Sequence, residues 1–213
     1  MSREASCAAW REPGNVTTPC AVMAEIEDEL KQAMRRPGLS LSGAVDEGWL
    51  HRLIKAVRET DGDDGPMVVE VMTSGGDADM GRRLAMEIEL LKPGGRRIVF
   101  LGKTIVYSAG VTFMAGFDRA DRYLAVGTCL LVHERKMSKT VNLDGPLRAC
   151  RAQLQGVLSE IEVGFALQQE GFKALAKGSR LSAEQVDERA RTDCYISAAE
   201  ALKLELIEAV FEG

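Results

Sequence analysis

Short, mostly apolar runs alternate along this sequence with amphipathic helical segments, and this alternation limits the folds that the chain can adopt. Three of these runs, MVVEVM, RIVFL and TCLLV, occupy residues 67–72, 97–101 and 128–132. Continuous apolar strands of this kind are typical of parallel sheets that are covered by helices on both faces. Because strands and helices alternate with short connections, we predict an α/β fold with a parallel sheet core and right-handed crossovers.

The length and the distribution of turn residues indicate how the chain is divided. A chain of 213 residues is long enough for one ordinary domain with a sizeable core. Residues 1–22 carry Pro, Gly, Asn and Thr without periodicity, which predicts an irregular N-terminal arm. We therefore predict one domain over residues 23–213.

Composition excludes several classes of partner and cofactor from our expectations. A formal net charge of −5 argues against a general affinity for nucleic acid. The five cysteines are scattered, with no CxxC pair and no Cys/His cluster, so we expect reduced thiols and no metal. The sequence has no run of about 18 apolar residues and no signal-peptide pattern at its start. We expect a cytoplasmic protein without a membrane span.

Two turns follow neighbouring predicted strands, and each of them precedes a helix. One contains Gly75 and Gly76, and the other contains Ser108 and Ala109. Open α/β sheets bind ligands at this edge, where free N–H groups at helix starts can hold an anion. The N–H groups of Gly76 and Ala109 are therefore candidates for an oxyanion hole, in which each donor contributes about 3 kcal/mol.

Ser108 and His133 are the candidate catalytic pair. A serine at a strand-to-helix turn is either a helix cap or a nucleophile, and a nucleophile requires a base within reach. The sequence contains two histidines, His51 and His133. His51 falls on the polar side of an amphipathic helix, where an exposed surface histidine is expected. His133 follows the strand at 128–132 and is expected at the same sheet edge as Ser108, although a strand-end histidine of this kind can also be structural.

These motifs, in this order, resemble the Clp protease proteolytic subunit family of the crotonase-like superfamily, over Leu39 to Glu208. The matching segments are LSGAVD (41–46), VMTSGGD (71–77), YSAG (107–110), VHE (132–134) and DCYISAAE (193–200). The resemblance implies a spiral of repeated β-β-α units. It also implies that Ser108 is the nucleophile, that His133 is the base and that no cofactor is needed.

The sequence departs from the family pattern at the third member of the triad and in the segment after the histidine. Arg189 stands where the family has its catalytic aspartate, and an arginine cannot accept a hydrogen bond from imidazole. Asp187 and Asp193 are equal candidates for that role, with Glu188 as a further acid nearby. The segment ERKMSK at 134–139 replaces the glycine-rich strand that lines the peptide groove in the family.

The resemblance also implies partners. It implies a peptide or unfolded protein as substrate, a homo-oligomer that can be a ring, and an ATP-driven unfoldase. The sequence has no GxxxxGK[ST] loop, so any use of ATP would belong to that partner. The long amphipathic helix predicted from about Leu143 to Lys177 is expected to pack on a neighbouring subunit as well as on its own sheet.

Three functions are consistent with these residues. The leading hypothesis is a Clp-like serine endopeptidase with a Ser-His centre and a backbone oxyanion hole. One alternative is a non-catalytic Clp-like subunit of a mixed assembly, which Arg189 favours. The other is a crotonase-type acyl-CoA enzyme, against which the Ser-His pair argues because such an enzyme does not need it.

Overall fold

The computed structural model describes residues 27–60, 62, 65–92 and 95–212, so the predicted arm at 1–22 lies outside the described residues. Within those ranges the chain forms seven α-helices and seven β-strands. The helices are α1 (Asp28–Arg35), α2 (Glu47–Glu59), α3 (Ala78–Leu91), α4 (Ala109–Met114), α5 (Leu147–Ala176), α6 (Ala183–Ala190) and α7 (Ala198–Lys203). The strands are β1 (Leu39–Ser42), β2 (Met67–Thr73), β3 (Ile98–Tyr107), β4 (Arg122–Ala125), β5 (Cys129–Val132), β6 (Cys194–Ser197) and β7 (Ala209–Phe211).

The strands form one sheet whose core is parallel. Five strands follow the order β1-β2-β3-β4-β7, and every neighbouring pair in this row is parallel. Strand β5 lies parallel to the second half of β3, and β6 adds to β5 in the antiparallel direction. The predicted α/β fold with a parallel sheet core is therefore confirmed.

Strand β3 is longer than the sequence predicts, and it changes partners along its length. It was expected to end at Leu101, but it continues to Tyr107 across an irregularity at which Thr104 has a φ of 62°. Before this point β3 pairs with β4, and after it β3 pairs with β5. A bulge bends a strand and increases its twist, which allows one strand to serve two neighbours. The irregularity thus brings Ser108, which follows β3, beside the end of β5.

Helices cover both faces of the sheet, which explains why its strands are apolar on both sides. Helix α1 packs Leu30 and Met34 on one face, against a cluster that includes Val68 and Val99. Helices α2, α3 and α4 cover the other face. Their fully buried side chains there include Trp49, Leu53, Leu84, Ile88, Phe113 and Met114.

A buried arginine joins the C-terminal ends of two helices. The guanidinium of Arg122, which is 2% exposed, donates to the carbonyls of Ala115 and Phe117 after α4 and of Ala174 and Leu175 in the last turn of α5. Burial lowers the pKa of Arg122 to about 10, which still leaves the group charged at neutral pH. A positive charge is favourable beside helix C-termini, so Arg122 fixes the position of α5 relative to α4.

Helix α5 is one uninterrupted helix of 30 residues, although Gly156, Gly164 and Gly171 lie within it. Its buried residues, Gln168, Phe172 and Leu175, all lie in its C-terminal third. The rest of the helix exposes large apolar side chains, namely Leu147, Leu154, Leu158, Val163 and Phe165. No helix within the described ranges is both long enough and apolar enough to span a lipid bilayer.

Candidate active site

Ser108 occupies a sharp turn between β3 and α4. Its φ of 54° and ψ of −115° place it in a region that residues other than glycine rarely adopt. Its backbone N–H donates to the carbonyl of Leu131 over 2.9 Å, but its side chain makes no capping hydrogen bond to α4. Ser108 is half-buried, and its hydroxyl does not cap α4. Its backbone conformation costs on the order of 1–3 kcal/mol.

His133 follows β5 at the same sheet edge. Parallel pairing sets Tyr107 opposite Leu131, so Ser108 and His133 leave neighbouring strands in the same direction. Adjacent strands lie about 4.8 Å apart, so the two residues lie at the same edge of the sheet, on neighbouring strands. No hydrogen bond joins Ser108 to the His133 ring in the described part of the chain.

The glycine turn after β2 lies against Ser108. A Cβ atom on Gly75 would fall 2.9 Å from the Cβ of Ser108, so a side chain there would displace the serine. A Cβ atom on Gly76 would fall 2.5 Å from the backbone N and O of Val45, which bridges to this turn. Thr73 is buried and fixes the turn, since its Oγ1 accepts from the N–H of Gly75 over 3.0 Å.

The two N–H groups predicted for the oxyanion hole are available. The parallel bridge at Val45 uses the carbonyl of Gly75 and the N–H of Asp77, so it leaves out the N–H of Gly76. Ala109 is the first residue of α4, where backbone N–H groups have no intrahelical acceptor. Neither N–H group donates a hydrogen bond to any described residue, and both belong to turns that meet at Ser108.

The two candidate acids have partners other than His133. On α6, the Asp187 carboxylate accepts from Gln169 Nε2 over 2.7 Å and pairs with Arg191 at 3.2 Å. Asp193 is exposed in the turn before β6, with its carboxylate 4.0 Å from the ammonium of Lys136. Neither carboxylate is hydrogen-bonded to the His133 ring among the described residues. Which of them serves as the third catalytic residue stays a prediction.

A backbone carbonyl occupies the position beside the His133 ring. The Nδ1 atom lies 2.6 Å from the carbonyl oxygen of Glu134. The next N–H, that of Arg135, donates to Oε1 of the buried Gln168 over 2.7 Å. Sequence reasoning missed Gln168. The available signal was its position on the apolar stripe of α5, four residues before Phe172, where a buried polar side chain is uncommon.

Two cysteines, Cys129 and Cys194, lie in the strands next to this edge. Burial raises the pKa of Cys194, which keeps this thiol protonated at neutral pH. Cys129 is half-buried in β5, as is Leu131, which lies on the same side of the strand. No group of three or more His, Cys, Asp and Glu side chains in the described ranges is arranged to hold a metal ion.

The comparisons with known proteins bear on the fold. No protein-family model matches the sequence, and no curated protein matches it. A solved structure, a mutant of ClpP1 from Listeria monocytogenes, is similar with a TM-score of 0.68 and 16% sequence identity. The similarity covers 86% of this chain and 96% of that chain. The chain has a ClpP-like fold. At this level of identity the likeness speaks for the fold alone.

Proposed function

We propose that this protein is a Clp-like serine endopeptidase that hydrolyses peptide bonds. Ser108 Oγ attacks the substrate carbonyl carbon and gives its proton to the His133 ring. The negative charge on the carbonyl oxygen is received by the N–H groups of Gly76 and Ala109. When the C–N bond breaks, His133 returns the proton to the leaving amine, and a water molecule then releases the acyl group with His133 again as base.

The observation that carries this proposal is the backbone conformation of Ser108. A helix cap needs no positive φ, and this serine makes no capping hydrogen bond. Strained residues of this kind cluster at active sites, because the surrounding structure holds them there for function. In other hydrolases a serine at a sharp strand-to-helix turn exposes its hydroxyl beside a backbone oxyanion hole. We propose the same arrangement here, which is supported by the unused N–H groups of Gly76 and Ala109 in the two turns that meet at Ser108.

Covalent labelling with a fluorophosphonate tests the proposal. We expect one label per chain on Ser108, no label in Ser108→Ala, and slower labelling in His133→Ala by about 10²–10⁴-fold because the general base is lost. The matched controls are His51→Ala and Ser159→Ala, which alter an exposed histidine and an exposed helical serine. Both should label like the wild type. A folded wild-type protein that takes up no label would contradict the proposal.

A second candidate is a non-catalytic Clp-like subunit of a mixed assembly. Two observations favour it: among the described residues neither Asp187 nor Asp193 is hydrogen-bonded to His133, and Arg189 stands in the place of the family acid. Loss of the orienting carboxylate can cost about 10⁴-fold in rate. Under this reading, a folded and assembled protein would remain unlabelled at Ser108.

We also propose the partners that accompany this activity. The substrate is a peptide or an unfolded protein, and an ATP-driven unfoldase supplies the protein substrates. Association with further copies of the chain is supported by the apolar side chains that α5 leaves exposed.

A further inference from the structure

We propose that the backbone carbonyl of Glu134 orients the ring of His133, and that Gln168 is the positioning residue that fixes this carbonyl. The inference rests on the proposed function, since it assigns how the base of that site is held. It is carried by three contacts, from His133 to Glu134, from Arg135 to Gln168 and from Gln168 to Asp187.

The contact at Glu134 determines which nitrogen of His133 carries the proton. A carbonyl oxygen only accepts hydrogen bonds, so Nδ1 is the donor across the 2.6 Å that separates it from Glu134 O. A neutral imidazole has one N–H, and Nε2 therefore keeps its lone pair. Nε2 takes the proton of Ser108 while Oγ bonds to the substrate carbon. The carbonyl dipole then stabilises the imidazolium, which is the task of the aspartate in a Ser-His-Asp triad.

Gln168 fixes the peptide unit to which this carbonyl belongs. The C=O of Glu134 and the N–H of Arg135 lie in one planar peptide unit, so they rotate together. The N–H of Arg135 donates to Gln168 Oε1 over 2.7 Å. Any rotation that turns the carbonyl away from His133 would also break this second hydrogen bond. Because Gln168 is only 8% exposed, water does not readily replace the lost partner.

Asp187 sets the direction in which the Gln168 amide faces. Nε2 of Gln168 lies 3.4 Å from Oδ1 of Asp187. The Asp187 carboxylate also accepts hydrogen bonds from the side chains of Gln169 and Arg191. A carboxylate only accepts, so the NH₂ group of Gln168 faces Asp187 and the amide oxygen faces Arg135. Asp187 thereby influences the catalytic base through one side chain and one peptide unit, without touching the ring.

The tautomer of His133 tests the first half of the inference. NMR of protein labelled with ¹⁵N-histidine distinguishes a proton on Nδ1 from one on Nε2. The variant His51→Gln removes the other histidine, so that one ring remains in the spectrum. We expect the neutral ring to carry its proton on Nδ1. A proton on Nε2 would overturn the inference.

Substitution of Gln168 tests the second half. Gln168→Leu keeps a similar volume but removes the acceptor for Arg135, so we expect a mixture of tautomers and labelling of Ser108 that is about 10–100-fold slower. Gln153→Leu is the matched control, because Gln153 is an exposed glutamine on the same helix and makes no hydrogen bond to Asp187 or Arg135. Its labelling rate should stay within about threefold of the wild type.

A double variant that exchanges the amide of Gln168 and the carboxylate of Asp187 distinguishes a loss of positioning from a loss of folding. Gln168→Glu alone sets two carboxylates side by side and should slow labelling. Adding Asp187→Asn restores one amide and one carboxylate in reversed order, with an acceptor still facing Arg135. We expect the double variant to label within about threefold of the wild type and to regain the Nδ1 tautomer. This comparison decides the question even if Gln168→Leu does not fold.

The outcomes separate this inference from the proposed function. Absence of label on the folded wild-type protein contradicts the peptidase itself. If the wild type labels, the inference is overturned by an unchanged rate and tautomer in both Gln168→Leu and Gln168→Glu. It is also overturned by a loss of about 10⁴-fold in Asp193→Asn, because that is the effect of removing a carboxylate in direct contact with the base.

Discussion

At the scale of single residues, Ser108 adopts a backbone conformation that has a cost in stability. Its positive φ turns the hydroxyl toward Gly75 and leaves the first N–H groups of α4 unused. A side chain in such a conformation costs about 1–3 kcal/mol, which glycine largely avoids. The surrounding contacts, above all the hydrogen bond from Ser108 N–H to Leu131, maintain the strained turn.

Ser108→Gly should therefore abolish labelling and also stabilise the protein. Relief of strain outweighs the additional chain entropy of glycine, so we expect its free energy of unfolding to exceed that of Ser108→Ala by about 1 kcal/mol. Denaturant unfolding at one protein concentration measures the difference. At Ser159 on α5 the same two substitutions should give the opposite sign, because glycine destabilises a helix by about 1 kcal/mol relative to alanine. A less stable Ser108→Gly would show that this turn is not strained.

The common sheet edge of Ser108 and His133 could be predicted from the sequence, but the contact between His133 and the backbone carbonyl of Glu134 could not. Ser108 and His133 follow apolar strands and precede polar or helical segments, so their common edge follows from strand order. The carbonyl of Glu134 carries no sequence pattern, because every residue has one. The sequence shows Gln168 as a polar residue on an apolar stripe. Its hydrogen-bond partners could not be predicted, because they depend on how the C-terminal end of α5 packs against the sheet.

At the scale of elements, strand β3 decides which residues meet. The sequence predicts its first half, where Ile98 to Leu101 are apolar, and misses its second half after Gly102, Lys103 and Thr104. A binary apolar pattern does not encode a bulge, in which one residue leaves the ladder while the strand continues. The exchange of partners from β4 to β5 at this bulge places Ser108 beside His133.

Arg122 is the side chain through which α4 and α5 are fixed to each other. Arg122→Ala leaves four carbonyl groups near helix ends without their donor, and unsatisfied buried groups cost about 1–3 kcal/mol each before relaxation. We expect the free energy of unfolding to fall by about 3–5 kcal/mol. Lys55→Ala, which removes an exposed ion pair with Glu59, should change it by less than about 1 kcal/mol. Equal effects in the two variants would contradict this role of Arg122.

At the scale of the whole molecule, α5 carries a row of large apolar side chains that the described residues leave exposed. Leu147, Leu154, Leu158 and Phe165 recur at helical intervals and are 45–88% exposed. Within the described ranges its buried side chains all lie in its C-terminal third, and an ion pair joins Glu160, near the middle of the helix, to Lys139. The sequence predicted the helix and its apolar stripe, but which part of the stripe the chain itself covers depends on tertiary packing.

We propose that the exposed apolar stripe of α5 binds further copies of the chain, so substitutions in this stripe should lower the mass of the species in solution. The double variant Leu154→Ser with Leu158→Ser should dissociate into smaller species, because each exposed leucine that becomes buried contributes about 1.5–3 kcal/mol. Sedimentation velocity measures the change. Val126→Ser together with Leu90→Ser alters side chains that are equally exposed, 63% and 69%, on other elements, and should leave the mass unchanged. A wild-type protein that sediments as a monomer would contradict the proposed assembly.

The proposed hydrolytic site consists of Ser108, His133 and two backbone N–H groups. A crystal structure of the fluorophosphonate-treated protein tests it most directly. We predict a phosphonyl group on Ser108 Oγ, with one phosphonyl oxygen about 3 Å from the N–H groups of both Gly76 and Ala109. An unmodified Ser108, or an adduct whose oxygen points to solvent away from those two N–H groups, would contradict the account.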